Sequence, residues 1–424
     1  MKNTEISEKP VKIAIVSLGH PDFSAGGAET AAYNLFKAYR QQPGISEAVF
    51  LARIDRAGDH PTGAISFYRD NEFLWDQGMH DWFNLRGRNR EATVARLPEW
   101  FGFMRPDIVH VHHYAHMGLE IFRVIRQALP EARIYLTLHE YMAICLHNGQ
   151  MVKHGSHKLC NESSLEACHK CFPAYSKEDL WLRKQALLEH FAMIDGFIAP
   201  SEFLRTRYIA WGIPSDRIVT IENAQVDWPD VPARPLAESE TRNRFGFFGQ
   251  INPYKGVDVL MKAFELATRD DQNPLFLEIN GANLEGQVPE FRDRIDALRE
   301  TLEERGVLQW MGPYEPKDLP GRMKSIDWVV VPSIWWENSP MVIQEAFAFG
   351  RPVICSNIGG MAEKVRDGVN GLHFEAGSVQ SLAACLAKAN ESRSSGEVWE
   401  RLAKQANAQR NSDITRMHLG QFYQ

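Results

Sequence analysis

Twice along this chain an apolar run of strand length passes through a glycine turn into a segment with helical spacing, and the second series starts only after a proline-rich break. "VKIAIVSLG" reads as a buried strand, and "GGAETAAYNLFKAYR" after it places Ala31, Ala32, Leu35, Phe36 and Tyr39 on one helical face. Further strands are predicted at "EAVFLAR", "DIVHVHH", "ARIYLTLH", "GFIAPS" and "RIVTIENA", with amphipathic helices such as "GLEIFRVIRQAL" between them. That alternation implies a parallel α/β sheet. Residues 225–241 turn to proline and acids without periodicity and read as a linker. The pattern then restarts with "NRFGFFGQ", "GVDVLMKAFELAT", "LFLEING", "VLQWMG", "DWVVVPS" and "RPVICSNIGG". A length of 424 residues suits two cores better than one. The expected organisation is a Rossmann-like domain over 1–224, the linker, a second Rossmann-like domain over 242–400, and a helical tail over 401–424 that packs back on the first.

Composition narrows the function. A formal charge of −7 disfavours nonspecific nucleic-acid binding, and no apolar run reaches the roughly 20 residues of a membrane span. The polar start lacks the basic and long apolar regions of a secretory signal, so a cytoplasmic protein is expected. Six cysteines in a chain this long do not make a disulfide scaffold.

"ENSPMVIQEAFAFG" raises the sharpest chemical question, because Glu337 and Glu345 bracket the start of a predicted helix. Ser339-Pro340 fits an N-cap with proline at the first helical position, and Gly350-Arg351-Pro352 fits the stop. Open α/β sheets bind ligands beyond the carboxyl ends of their strands, and a helix start offers free N–H groups to a phosphate. Carboxylates repel phosphate, so the two acids better suit neutral hydroxyls on either side of a diphosphate, as in a nucleotide sugar. Solvated surface acids are the plainer alternative.

These residues resemble the Glu-x7-Glu signature of retaining GT-B glycosyltransferases of family four. "FFGQINPYKGVDVLMKAF" is similar to that family's Gly-Arg-x4-Lys-Gly segment, and "SNIGGMAEKVRDGVNGLHFEAG" to its Gly-Gly-x-x-Glu segment. "GGAETAAYNL" resembles its N-terminal glycine loop, and "APSEFLRTRYIAWGIPSDRIVTIENAQVD" the strand leading to the linker. The resemblance implies two Rossmann-like domains facing across a cleft. It implies that Glu337 contacts the donor sugar, Glu345 the ribose hydroxyls, Lys255 the diphosphate and His139 the reacting sugar. Gly26, Gly27, Gln250, Asn338, Ser339, Met341 and Val342 would complete the donor site. The family usually has arginine where this chain has Gln250, so one expected cation is missing. The family lacks an Asp-x-Asp metal motif and none occurs here, so no catalytic cofactor is expected.

"CLHNGQMVKHGSHKLCNESSLEACHKC" adds Cys145, Cys160, Cys168 and Cys171 in an insert over 145–171. Their number and the Cys-x2-Cys end fit a structural zinc site, while reduced thiols and a redox disulfide stay open. Arg86, Arg88, Arg90, Arg96 and Arg105 around Trp100, Phe101 and Phe103 suggest a basic, aromatic surface for an anionic lipid-linked acceptor or a peripheral membrane contact. A solvated helix face is the alternative. The resulting expectation is transfer of a hexose-type sugar from a UDP- or GDP-type donor to a saccharide or lipid-linked acceptor in surface polysaccharide synthesis. A GT-B epimerase or phosphorylase, and a weakly catalytic sugar-nucleotide binder with a sensing loop, are the rivals.

Overall fold

The computed structural model describes residues 10–24, 26–55, 62–156, 158–237, 240–268, 275–390 and 395–423. The chain divides into two compact units, Met1–Val226 with Arg410–Gln424, and Asp227–Gln409.

The first unit is built on an eight-stranded sheet. Its order is Ile218–Thr220, Gly196–Ala199, Arg133–Thr137, Ile108–His112, Val11–Ser17, Ile45–Ile54, Glu72–Asp76 and Ile65–Arg69. Every pairing is parallel except the last, where Ile65–Arg69 returns antiparallel along Glu72–Asp76. Val11–Ser17 is buried on both faces, which is why it reads as continuous apolar sequence rather than alternation. Helix Gly27–Tyr39 buries Ala31, Ala32, Leu35, Phe36 and Tyr39 against it. Helix Asn411–Phe422 closes the unit: Arg133 Nη1 donates to the Phe422 carbonyl and Tyr135 Oη to that of Gln421, while the Phe422 ring packs on Tyr135.

The second unit carries six parallel strands in the order Leu308–Trp310, Phe276–Ala282, Arg244–Gln250, Trp328–Val331, Val353–Ser356 and Gly371–Phe374. The chain starts at Arg244–Gln250, winds outward to one side, then returns to Trp328–Val331 and winds to the other. The gap between those two strands is the topological switch point, where α/β sheets bind ligands.

Two boundaries differ from the sequence reading. The segment after Asp227 is anchored in the second unit rather than standing free between domains. Asp327, fully buried, pairs with Arg234 and Arg242, and the buried Arg351 donates to the Pro232 carbonyl as well as to those of Met323, Ile326 and Phe349. Helix Ser395–Gln405 also stays with the second unit, because Trp399 buries its ring and donates Nε1–H to the Asp327 carbonyl while Leu402 joins the core. The return to the first unit therefore begins at Arg410, not at 401.

Candidate active site

Three loops at the carboxyl ends of the second unit's strands are fastened together at the switch point. After Arg244–Gln250 the Asn252 side chain accepts from the amides of Tyr254 and Lys255, winding a single 3-10 turn. Gly256 follows at φ +68, and a Cβ there would lie 2.0 Å from the Pro332 carbonyl oxygen, so only glycine lets this turn press against the end of Trp328–Val331. The Ile334 amide donates to the Tyr254 carbonyl, locking the two loops. The third loop arrives through Gly359 and Gly360, whose amide N–H donates to the Glu337 carbonyl at 2.8 Å.

This fastening brings Lys255 to Glu337, 82 positions apart in sequence, with Nζ 2.6 Å from Oε1. The same oxygen accepts from Ser333 Oγ at 2.7 Å and from Trp335 Nε1 at 2.9 Å. Burial alone would raise the Glu337 carboxyl, but the Lys255 charge and these hydrogen bonds outweigh it and hold it below the usual glutamate range. Ser333 and Trp335 were missed by sequence reasoning; their signal is only proximity to Glu337 in "PSIWWEN".

Helix Met341–Ala348 starts one residue later than expected. Pro340 keeps the helical φ of −61 but an extended ψ of 120, so it stands just outside the helix as the N-cap residue. A helix start at the carboxyl end of a parallel strand presents amides of the kind an anion can use. Ser339 is buried, whereas Asn338, Met341 and Val342 are half-buried beside it. Glu345 lies one turn in; burial pushes its carboxyl up to about 7, and it acts in turn on the buried phenol of Tyr314. Gln250 is exposed at its strand end. A cavity of about 340 Å³ opens at neighbouring strand ends, lined by Ile251, Gly281, Asn283, Arg299, Trp310 and Pro313.

The glycine loop tolerates no addition. A Cβ on Gly360 would sit 1.7 Å from the Asn338 carbonyl oxygen, so backbone must move. Gly360→Ala is expected to cost about 1–3 kcal/mol as overpacking and to displace the Asn338-Ser339 segment. Thermal melting and donor titration would read both effects. Gly396→Ala, which meets nothing, should change neither.

In the first unit, Gly26 precedes helix Gly27–Tyr39, and its lack of a side chain makes room for an acid. A Cβ there would lie 2.1 Å from Glu29 Oε2, and the buried Glu29 is held further by Ser24 Oγ at 2.9 Å. A carboxylate thus occupies the helix entrance, which suits a hydroxyl partner better than a phosphate. Close by, Gly19, His20, Ser24, Arg53, Asp55 and Tyr68 line a cavity of about 380 Å³.

His139 follows strand Arg133–Thr137, and its Nε2 meets His112 Nδ1 at 3.1 Å. His112 Nε2 is buried without a partner. An orphaned N–H costs more than a bare lone pair, so His112 donates from Nδ1 and His139 carries its proton on Nδ1. Burial lowers the His139 imidazole to about 4, keeping it a neutral hydrogen-bond donor at physiological pH. His110, His112 and His113 are buried; His110 meets Thr137 Oγ1, and His113 Nδ1 accepts two backbone amides.

The arginine-rich segment corrects one expectation. In helix Arg90–Met104, Trp100 and Phe101 turn inward with Leu97 and Met104, so of the three aromatics only Phe103, 82% exposed, stands on the surface beside the arginines. No helix among the described residues is long and apolar enough to cross a membrane.

Comparison with known proteins adds to this geometry. Residues 25–224 match the model of Glycosyltransferase Family 4, and residues 233–409 that of Glycosyl transferases group 1. A D-inositol 3-phosphate glycosyltransferase of Nocardia farcinica is 35% identical over 158 residues, 35% of this chain and 34% of that protein. One from Rhodococcus jostii is 34% identical over 145 residues, 33% of this chain and 31% of that one. The match thus spans about a third of the length of these relatives. Among solved structures, Anabaena HepE in complex with UDP superposes with a TM-score of 0.65 at 18% identity, covering 97% of this chain and 99% of that one. The lipopolysaccharide outer core galactosyltransferase WaaB gives 0.61 at 17%, covering 97% and 99%. At these identities the likeness is one of fold. Together the two family models, which between them cover both units, place this chain in the GT-B glycosyltransferases of family four.

Proposed function

We propose that the protein transfers a hexose from a UDP- or GDP-type nucleotide sugar, with retention and without a metal, to a saccharide or lipid-linked acceptor in surface polysaccharide synthesis on the cytoplasmic side. One observation carries this reading: the Lys255–Glu337 pair stands beside the start of helix Met341–Ala348 at a topological switch point. The diphosphate rests on the helix amides and Lys255, Glu337 accepts from a sugar hydroxyl, and Glu345 accepts from the ribose. The cavity past Gly281 and Trp310 takes the base. The acceptor hydroxyl attacks the anomeric carbon on the face the phosphate leaves, the new C–O bond forming as the old one breaks and the proton passing to the departing phosphate oxygen. The protein's share is positioning and charge stabilisation. In the first unit the cavity near Gly26 seats the acceptor, and His139 offers a neutral imidazole to a hydroxyl. HepE, whose complexes hold UDP and UDP-glucose, and WaaB, a galactosyltransferase, support the donor class.

A thermal-shift screen across UDP-, GDP- and ADP-sugars tests it. A ligand at 100 times its Kd should add about 2.7 kcal/mol to the stability of the unit that binds it. The absence of a shift with every donor removes the reading. The exposed, uncharged Gln250 favours a second one, a binder with weak turnover; tight donor binding without nucleoside diphosphate release from any acceptor pool would select it.

A further inference from the structure

Four thiols play no part in that chemistry, yet the fold gathers them. Cys145 follows the strand Arg133–Thr137, Cys160 ends a hairpin bridged at Val152 and Leu159, and Cys168 and Cys171 lie one turn apart on helix Leu165–Cys171. All four line a single cavity of about 30 Å³, closed by Met151 and Phe172. None of them is in a disulfide. The wall of this cavity is almost wholly carbon and sulfur, and a buried water would need two to four polar partners that such a wall does not offer.

A second observation points to negative charge at the same place. Arg183 on helix Lys177–Phe191 is only 6% exposed, and its guanidinium donates to the carbonyls of Phe83, Met142 and Ala143. Carbonyls satisfy its N–H groups but do not neutralise its charge, and among the described residues it forms no salt bridge. The ionisable groups around it are the thiols of Cys145 and Cys168 and the phenols of Tyr114 and Tyr208. Glu140 is within electrostatic reach, but burial pushes its carboxyl up to about 8, so near neutral pH it is mostly uncharged; its Oε2 accepts from the Met142 amide and its Oε1 has no hydrogen-bond partner among the described residues. A buried cation without an anion is costly. His147 and His169 engage Nδ1 with the carbonyls of Val152 and Tyr175, and among the described residues no histidine lines the cavity the thiols share, which leaves sulfur as the ligand type there.

Among the described residues no three potential ligands already converge at coordinating distance from one point, so the thiols are gathered but not closed. We propose that Cys145, Cys160, Cys168 and Cys171 bind one zinc-type divalent cation as a tetrathiolate, the four sulfurs drawing in around the ion and Arg183 balancing the resulting negative charge. Four Zn–S bonds form, four thiol protons leave to solvent, and no electron changes hands. Thiolate sulfur in a tetrahedral set selects zinc over harder cations. The site ties the long insert to the helix that bears Arg183, and it does not touch the transfer chemistry.

The full-length protein, purified without chelator, tests this by metal analysis and thiol counting. About one zinc per chain is expected, with the four thiols unreactive until an organomercurial releases the metal. Reloading with Co2+ alone should give the intense visible bands of a tetrahedral cobalt thiolate. Cys168→Ser should lose the metal, and Cys171→His should keep it because imidazole also serves zinc. If the serine variant does not fold, the wild-type metal content and cobalt spectrum decide alone. A folded protein with less than about a tenth of an equivalent of zinc and no cobalt uptake overturns the proposal, as does a disulfide between any two of the four on intact-mass analysis.

Discussion

Lys255→Met is expected to lower turnover about 10²- to 10³-fold while weakening donor binding much less, the usual result of removing one group aimed at charge that grows in the transition state. Nucleoside diphosphate release, measured with and without an acceptor pool, reads turnover; calorimetric titration reads binding. The asymmetry follows from geometry. Lys255 is a compact charge on a flexible stem, paired in the free protein with Glu337 at 2.6 Å, and it can follow the diphosphate as negative charge builds on it. With Gln250 uncharged, no second cation comes from the position where the family keeps one. The variant also leaves Glu337 buried with only the hydrogen bonds of Ser333 and Trp335. Its carboxyl pKa should then rise, moving the acid limb of the turnover profile toward neutrality. Stability follows with a definite sign. The depressed Glu337 pKa contributes stability that is present above the ordinary glutamate value and lost as pH falls through the folded one, and the variant forfeits that contribution. Removing both charges, in Lys255→Met with Glu337→Gln, should restore part of the lost stability but none of the turnover. Equal losses in binding and turnover would strip Lys255 of its transition-state role.

The strands were legible because burial on both faces writes them as unbroken apolar runs, and the two acids drew attention because, eight residues apart, they bracket the start of a predicted helix. What could not be read is what depends on contact across the chain. Ser333 and Trp335 become ligands of Glu337 only once the loop folds back, and "IWW" looks like packing. Gly26 reads as a place for a ligand to approach, whereas the fold fills it with the Glu29 carboxylate. Trp100 and Phe101 look like a surface patch beside arginines until the helix register turns them inward. Residues 227–237 lack periodicity and so resemble a linker, yet the buried Arg351 holds the Pro232 carbonyl and the buried Asp327 holds the Arg234 guanidinium. The cysteines announce a cluster by number, but not which helix supplies the cation beside it.

Glu345→Gln should stabilise the protein at about pH 8 and cripple donor binding there, two effects of opposite sign from one substitution. Burial holds the Glu345 carboxyl near 7 against an ordinary 4.5, so between those values the folded chain keeps a proton that the unfolded chain has released. Stability therefore falls as pH rises through that window and stays lower above it. At about 1.4 kcal/mol per pH unit the gap amounts to on the order of 3 kcal/mol. Glutamine mimics the protonated acid, so it should match wild type near pH 5 and exceed it at pH 8 by roughly 5–10 °C in the Tm of the second unit. Binding moves the other way. An ionised carboxylate accepting from two ribose hydroxyls makes charge-assisted hydrogen bonds, and losing them should weaken the donor about 10- to 100-fold. Wild-type affinity should accordingly climb between about pH 6 and pH 8, with protons released on binding, which calorimetry in two buffers of different ionisation enthalpy detects. A residue kept only for packing would show the stability gain and none of the binding loss. A carboxylate retained at a cost to the fold needs a ligand to explain it, and affinity independent of both pH and the substitution would leave Glu345 without one.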